Sequence, residues 1–196
     1  MSNPILRLEN ISKSFGGVRV LEKVSFDVER GSRHALIGPN GAGKTTLFNI
    51  ISGIHDPEKG KVLLEGKDLK GIPSRKRIKR GLSRSFQNIR LMPHLSVLEN
   101  VMLGQHSRFQ LLDMVKPLNF SAKSTGKAEA IDTLKSFGIE LHEGQTVSSL
   151  PYGIRKKIEV VRALMSEPRL LLLDEPAAGL NTAETNNLRD LLNEVS

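Results

Sequence analysis

Apolar and polar residues alternate along Ile5–Glu9 and again along Val24–Val28, the period of half-buried strands. Gly16-Gly17 lies between them and marks a turn, so the chain is expected to open on a β-hairpin. After a turn at His55–Gly60, Lys61–Glu65 and the segment beyond Gly66 predict a second strand pair. Two runs are apolar without alternation, Ala35-Leu36-Ile37 and Leu170–Leu173, and such runs suit strands covered on both faces. A short strand is predicted over Gly81–Phe86, ending at Gln87, where a ligand could be faced in an open α/β sheet.

Helical spacing takes over elsewhere. Thr46–Ile51 predicts a helix stopped by Gly53, and Ser74–Arg80 a short helix with a solvated basic face. Ser96 and Glu99 have the spacing of a capping box ahead of Val97, Leu98, Val101 and Met102. Phe109–Val115 and Lys127–Phe137 read as helices, with Ser121–Gly126 a small, polar, mobile connection between them. Ile154, Ile158, Val161 and Met165 line one face of an amphipathic helix, leaving Arg155, Lys156, Lys157 and Arg162 to face outward. Thr182 is placed to cap a last helix carrying Leu188, Leu191, Leu192 and Val195. The organisation expected is a core with antiparallel strands over residues 1–95, a helical subdomain over 96–150, and a helix, strand and helix returning to the core over 151–196.

The chemistry concentrates at two places. Gly38-Pro39-Asn40-Gly41-Ala42-Gly43-Lys44-Thr45-Thr46 follows one predicted strand and opens one predicted helix. Without a Cβ at Gly41 and Gly43 the backbone can curl and turn successive N–H groups inward, and the helix adds the positive end of its dipole. Lys44 supplies a mobile charge for the β- and γ-phosphates of a bound polyphosphate, and Thr45 a hydroxyl for Mg²⁺. The second place is Asp174-Glu175 at the end of the leucine run. Carboxylates near a core are costly unless they have a task. Asp174 can hold Mg²⁺, and Glu175 can orient or deprotonate the water that attacks the γ-phosphate. Phe15 could stack on a base or pack in the core.

Composition narrows the classes. Of the 196 residues 26% are charged and 38% hydrophobic, which suits a folded domain with its own core. With no cysteine there is neither a disulfide frame nor a thiolate metal site. No apolar run approaches the length of a membrane span, and Met1–Pro4 shows no basic region leading to an apolar core, so a reducing cytoplasmic location is expected. The net charge of +8 admits nucleic acid, an anionic membrane face, or simple solubility. With no Trp and one Tyr, a base-stacking platform for nucleic acid is poorly supplied.

With these residues in view the sequence resembles the ATPase subunits of ATP-binding-cassette transporters, over nearly the whole chain. The resemblance implies an α/β P-loop NTPase core of RecA-like type with an antiparallel β subdomain and an inserted helical subdomain. It makes Gly38–Thr45 the Walker A loop, Gln87 the Q-loop glutamine that reaches metal and attacking water, and Leu170–Asp174 the Walker B strand. Glu175 then matches the catalytic glutamate, Gly179-Leu180-Asn181 the D-loop, and Phe15 the aromatic residue that stacks on adenine. Ser85–Leu91, Leu150–Gly153 and Glu175–Asn181 are similar to the branched-chain amino acid importers, and also to urea and other amide importers.

That resemblance implies ATP and Mg²⁺ as cofactors and a peripheral place on the cytoplasmic face of the inner membrane. Its partners would be a second cassette, two membrane permeases and, indirectly, a substrate-binding protein. Two departures modify the expectation. In the Leu-Ser-Gly-Gly-Gln signature, Pro151, Tyr152 and Ile154 replace Ser, Gly and Gln, leaving Gly153 and the helix-start amides to meet a nucleotide on the opposite subunit. A heterodimer with unequal sites follows as the expectation. The family's switch histidine lies on a strand beyond the last helix, whereas His34, His55, His94, His106 and His142 all precede Asp174. The family's C-terminal strands are thus expected to be missing from these residues, and hydrolysis by them alone to be weak. Two other functions remain open at this point: a nucleotide-binding subunit with little hydrolysis, and a cassette ATPase acting on nucleic acid or ribosomes.

Overall fold

The computed structural model describes residues 4–85, 90–107, 120–140, 142 and 145–194. Two compact units divide the chain, Met1–Leu82 and Ser83–Ser196.

The first unit is built on an antiparallel sheet in the order β2-β1-β3-β4. β1 (Leu6–Phe15) and β2 (Val18–Val28) form the expected hairpin across Gly16-Gly17, longer at both inner ends than the alternation alone indicates. Register shifts after Leu8 and Ile11 let Asn10 and Lys23 take positive φ, and side chains fill the gaps: Ser25 Oγ accepts the Asn10 N–H and Ser12 Oγ the Lys23 N–H. β3 (Lys59–Leu64) pairs with β1, and β4 (Lys67–Asp68) with β3. Ile5, Leu6, Leu8, Ile11, Val62 and Leu64 are buried, joined by Leu47, Ile50 and Ile51 of α1 (Lys44–Ser52).

One basic residue departs from its expected place. α2 (Ser74–Ile78) exposes Arg75 and Lys76, but Arg77 is 2% exposed. Its guanidinium donates to the carbonyl oxygens of Ile50, Ile51, Leu69 and Ile72, so it adds donors to the carbonyls that end α1, of which Ile50 also accepts the Gly53 N–H. Burial lowers its pKa, partly offset by the charges of Asp56 and Asp68.

Ala35-Leu36-Ile37 does not form the buried strand expected of it. Residues 32–39 have no regular structure, Leu36 is exposed and Ile37 is 90% exposed. An apolar run becomes a strand only where neighbours take its N–H and C=O groups. Among the described residues none does.

In the second unit β5 (Leu82–Arg84) neighbours β6 (Leu170–Leu172), and the Ser85 N–H donates to the Leu172 carbonyl at 2.9 Å. α3 (Val97–Met102) starts at the expected capping box: Ser96 Oγ accepts the Glu99 N–H, and the Glu99 carboxylate accepts the Ser96 N–H at 2.8 Å. The Ser96 hydroxyl, which also donates to that carboxylate at 2.7 Å, and then the Ser96 N–H hold the Glu99 carboxyl below its ordinary pKa. α4 runs Phe120–Ser136, so Ser121–Gly126 is helical rather than a connection, and Gly138 follows its end at a φ of 65°. The helix predicted over Phe109–Val115 lies outside the described residues. α5 (Tyr152–Leu164) buries Ile158 and Val161, with Met165 beyond its end, against Val97, Val101, Leu134 and Phe137. α6 (Thr182–Glu194) adds Leu188 to that core. No helix among the described residues is long and apolar enough to cross a membrane.

Candidate functional site

In the first unit the glycine loop is shaped by the strand behind it. Gly43, the N-cap of α1, has a φ of 87°, and an added Cβ would lie 2.8 Å from Leu21 Cδ2 and 3.0 Å from the Val20 carbonyl oxygen. Both the left-handed backbone and the closeness of β2 therefore require glycine there. No side chain caps α1 and no acidic residue sits in its first turn. Free amides, the helix dipole and Lys44 together make an anion site. Lys44 Nζ donates to the Gly38 carbonyl at 2.6 Å and the Pro39 carbonyl at 2.9 Å, which folds its charge over Pro39, Asn40, Gly41 and Ala42. Thr45 is exposed and Thr46 half-buried at the helix start.

Phe15 ends β1 and is 42% exposed, so it belongs to the surface rather than the core. His55 meets its ring edge-on at a centroid distance of 5.4 Å, and Lys13 Nζ lies 5.3 Å from its centroid. An aromatic face held this way suits a planar ligand.

In the second unit Asp174 lies just past β6, buried, and Glu175 beyond it is exposed. Glu175 has a φ of 47°, a conformation that costs a non-glycine residue about 1 kcal/mol or more. Arg84 Nη2 donates to Asp174 Oδ2 at 2.7 Å, with both side chains 6% exposed. No other hydrogen bond reaches Asp174 among the described residues. Gln87 lies outside the described residues.

The signature segment is fitted to the start of α6. Pro151 caps α5 without a side-chain hydrogen bond. Tyr152 is 39% exposed, its ring near Gly179 and 6.0 Å from the Arg155 guanidinium carbon. Gly153 is buried, and any Cβ on it would collide with Glu184 Oε1. Glu184 in turn closes a capping box. Its carboxylate accepts the Asn181 N–H at 3.0 Å, and Asn181 Oδ1 accepts the Glu184 N–H at 2.9 Å. The cap of α6 is therefore Asn181, not Thr182, because the glutamate three residues on selects it.

The polar face of α5 is not simply solvated. Lys156 and Glu159 are 0% and 1% exposed with Nζ and Oε2 3.6 Å apart. Arg162 Nη1 donates to the Arg90 carbonyl at 2.8 Å, and Glu159 Oε1 accepts the Arg90 N–H at 3.4 Å. Burial lowers the Arg162 pKa against the opposing charge of Glu159. Helical spacing assigned Lys156 and Arg162 outward, but Lys156 is buried beside Glu159 and Arg162 is held by the Arg90 carbonyl.

Arg84 escaped the sequence reading altogether. The available signal was a lone charge inside the predicted Gly81–Phe86 strand, which needs a counter-charge if that strand is covered. As for metals, no three His, Cys, Asp or Glu side chains among the described residues cluster into a cage. Single oxygen donors such as the Thr45 hydroxyl and the Asp174 carboxylate fit Mg²⁺, which keeps waters and takes phosphate oxygens.

These features have relatives. The family model described as ABC transporter matches residues 21–178. The branched-chain amino acid transport ATP-binding protein LivG of Salmonella typhimurium is 35% identical over all of this chain and 78% of its own. The arabinose import ATP-binding protein AraG of Azospirillum brasilense is 37% identical over 94% of this chain and 34% of its own. The ADP conformation of an ATP-binding cassette of an ABC transporter superposes with a TM-score of 0.83, 31% identity, and coverage of 98% of this chain and 76% of that one. The P-loop NTPase fold that the resemblance implied is thereby shown. The chain belongs to the ATP-binding cassettes of the ABC transporter family.

Proposed function

We propose that this cassette ATPase powers an importer of branched-chain, hydrophobic amino acids. The observation that carries the nucleotide part is the uncapped start of α1, with Gly43 held left-handed against β2 and Lys44 folded over the loop. In this reading Gly38, Pro39, Asn40, Gly41, Ala42, Gly43 and Thr46 wrap the phosphates, Lys44 neutralises them, and Phe15 stacks on adenine. Thr45, Asp174 and Gln87 are the residues that would hold Mg²⁺, which would supply charge neutralisation at the phosphates when bound. Glu175 orients the attacking water; its exposed carboxylate and left-handed backbone set it apart from the buried Asp174. Tyr152 and Gly153 face the nucleotide of a second cassette. Pro151, which lacks an N–H, supports a heterodimer with unequal sites. Two permeases on the cytoplasmic face of the inner membrane complete the assembly, fed by a substrate-binding protein.

The substrate rests on the likeness to LivG, and AraG, of similar identity, names the competing sugar. Uptake of labelled leucine and arabinose by membranes carrying the assembled transporter tests it. Leucine uptake is expected to vanish with Lys44→Ala, which abolishes ATP binding. Glu175→Gln is expected to keep ATP binding and slow hydrolysis by about a hundredfold or more. ATP-dependent arabinose uptake without leucine uptake would overturn the substrate, and undiminished hydrolysis in Glu175→Gln the role of Glu175.

A further inference from the structure

We propose that Arg84 sets the metal preference of the Asp174 carboxylate, favouring Mg²⁺ over Ca²⁺. This rests on the reading that Asp174 serves a metal·ATP complex.

Arg84 and Asp174 are both nearly excluded from solvent, and the Nη2–Oδ2 bond is 2.7 Å long. The guanidinium is not on a mobile surface arm. It projects from β5, which β6 flanks, and the next residue is tied down by the Ser85 N–H on the Leu172 carbonyl. The residue before is held too, since Ser83 Oγ hydrogen-bonds Ser166 Oγ. Arg84 therefore keeps Oδ2 engaged and leaves Oδ1 as the oxygen that Asp174 can turn to a cation or its water.

Cations differ in what they ask of a carboxylate. Ca²⁺ takes six to eight oxygens and readily uses both of one carboxylate, whereas Mg²⁺ insists on octahedral geometry and keeps several waters. A carboxylate with one oxygen committed to a guanidinium serves the second cation and penalises the first. Arg84 is thus a positioning residue: it acts on the metal through Asp174.

The test is binding of a fluorescent trinitrophenyl derivative of ATP to the full chain in Mg²⁺, in Ca²⁺ and in EDTA. Wild type is expected to bind about tenfold more tightly in Mg²⁺ than in Ca²⁺. In Arg84→Met the ratio should fall to about threefold or less, through tighter binding in Ca²⁺, with affinity in EDTA unchanged. Arg84→Lys, which can still hold Oδ2, should restore part of the preference. If Arg84→Met does not fold by circular dichroism, Arg84→Gln is read in the same way. A folded neutral variant with the wild-type ratio overturns the proposal. So does an equal loss in all three buffers, the mark of a merely structural residue, and so does a wild type without preference for Mg²⁺. Absence of nucleotide binding in every buffer would instead sink the ATP reading on which the proposal stands.

Discussion

Two buried arginines serve the two units in opposite ways. Arg77 in the first unit is neutralised by no contacting carboxylate among the described residues; it is solvated by four backbone carbonyls. Arg84 in the second is paired with one carboxylate, itself at the end of a strand. The first arrangement repairs the fold, since the oxygens at the end of a helix and in a following loop need donors and a rigid fork supplies several at once. The second constrains a group with chemistry of its own. A glycine accompanies the first: a Cβ on Gly53 would lie 2.5 Å from Arg77 Nε. The second unit repeats that device away from Arg84, where Gly153 admits Glu184. A buried charge, therefore, says little about function until its partner is known.

The sharpest way to break the comparison is Arg77→Met. It leaves buried carbonyls short of donors, and hydrogen bonds to charged groups are worth about 1.5–3 kcal/mol each. We expect a loss of roughly 3 kcal/mol or more in urea unfolding, with the Mg²⁺ to Ca²⁺ ratio of the folded fraction unchanged. A shifted ratio would show that Arg77 is not confined to the fold. Next in size is Gly153→Ala. The added methyl must push the Glu184 carboxylate aside, and overpacking of this kind costs about 1–3 kcal/mol. Glu184→Gln in the same background should not relieve it, because the amide is as large as the carboxylate; Glu184→Ala should, less about 1 kcal/mol for the lost cap. Equal stability of Gly153→Ala and wild type would mean that the segment has room to yield.

How much of this was legible depended on how local each feature is. The hairpin, the Ser96–Glu99 box and the glycine loop are written in neighbouring residues, and the structure shows each where its pattern stands. Ala35-Leu36-Ile37 carried the right composition for a buried strand, but a strand is a relation between segments. Ser121–Gly126 looked like a linker because it is small and polar, and yet α4 runs through it. Arg77 and Lys156 were read as surface because charged residues usually are. The partners of Arg77 are backbone carbonyls, which no periodicity displays; Glu159 stands three residues beyond Lys156 on the same helix, and what the pattern did not show is that the pair is covered. Of the site residues, the glycine loop explained itself from spacing; the engagement of Asp174 by Arg84, ninety positions apart, did not.

The smallest effect comes from a third arginine, which sharpens the contrast by being exposed. Arg7 on β1 meets Asp27 on β2 with two parallel bonds of 2.9 Å, Nε to Oδ1 and Nη2 to Oδ2. The hydrogen bond from Arg7 holds the Asp27 carboxyl below its ordinary pKa, against a slight opposing effect of burial and with the Arg7 charge assisting. The same pair raises Arg7. A carboxyl lowered by folding adds stability that is complete above its unfolded pKa, about 3.9, and disappears as pH falls through the lower folded value. The raised arginine contributes below its own unfolded pKa and loses that contribution only at extreme alkalinity. Asp27→Asn should therefore be slightly less stable than wild type near neutrality, and the gap should close on acidification below about pH 4. Because both groups face water, added salt should shrink the gap at neutral pH as well. Parallel urea titrations at neutral and acid pH, at low and high salt, measure it. A gap that persists in acid would show that Asp27 acts through packing within the β1–β2 pair rather than through its charge.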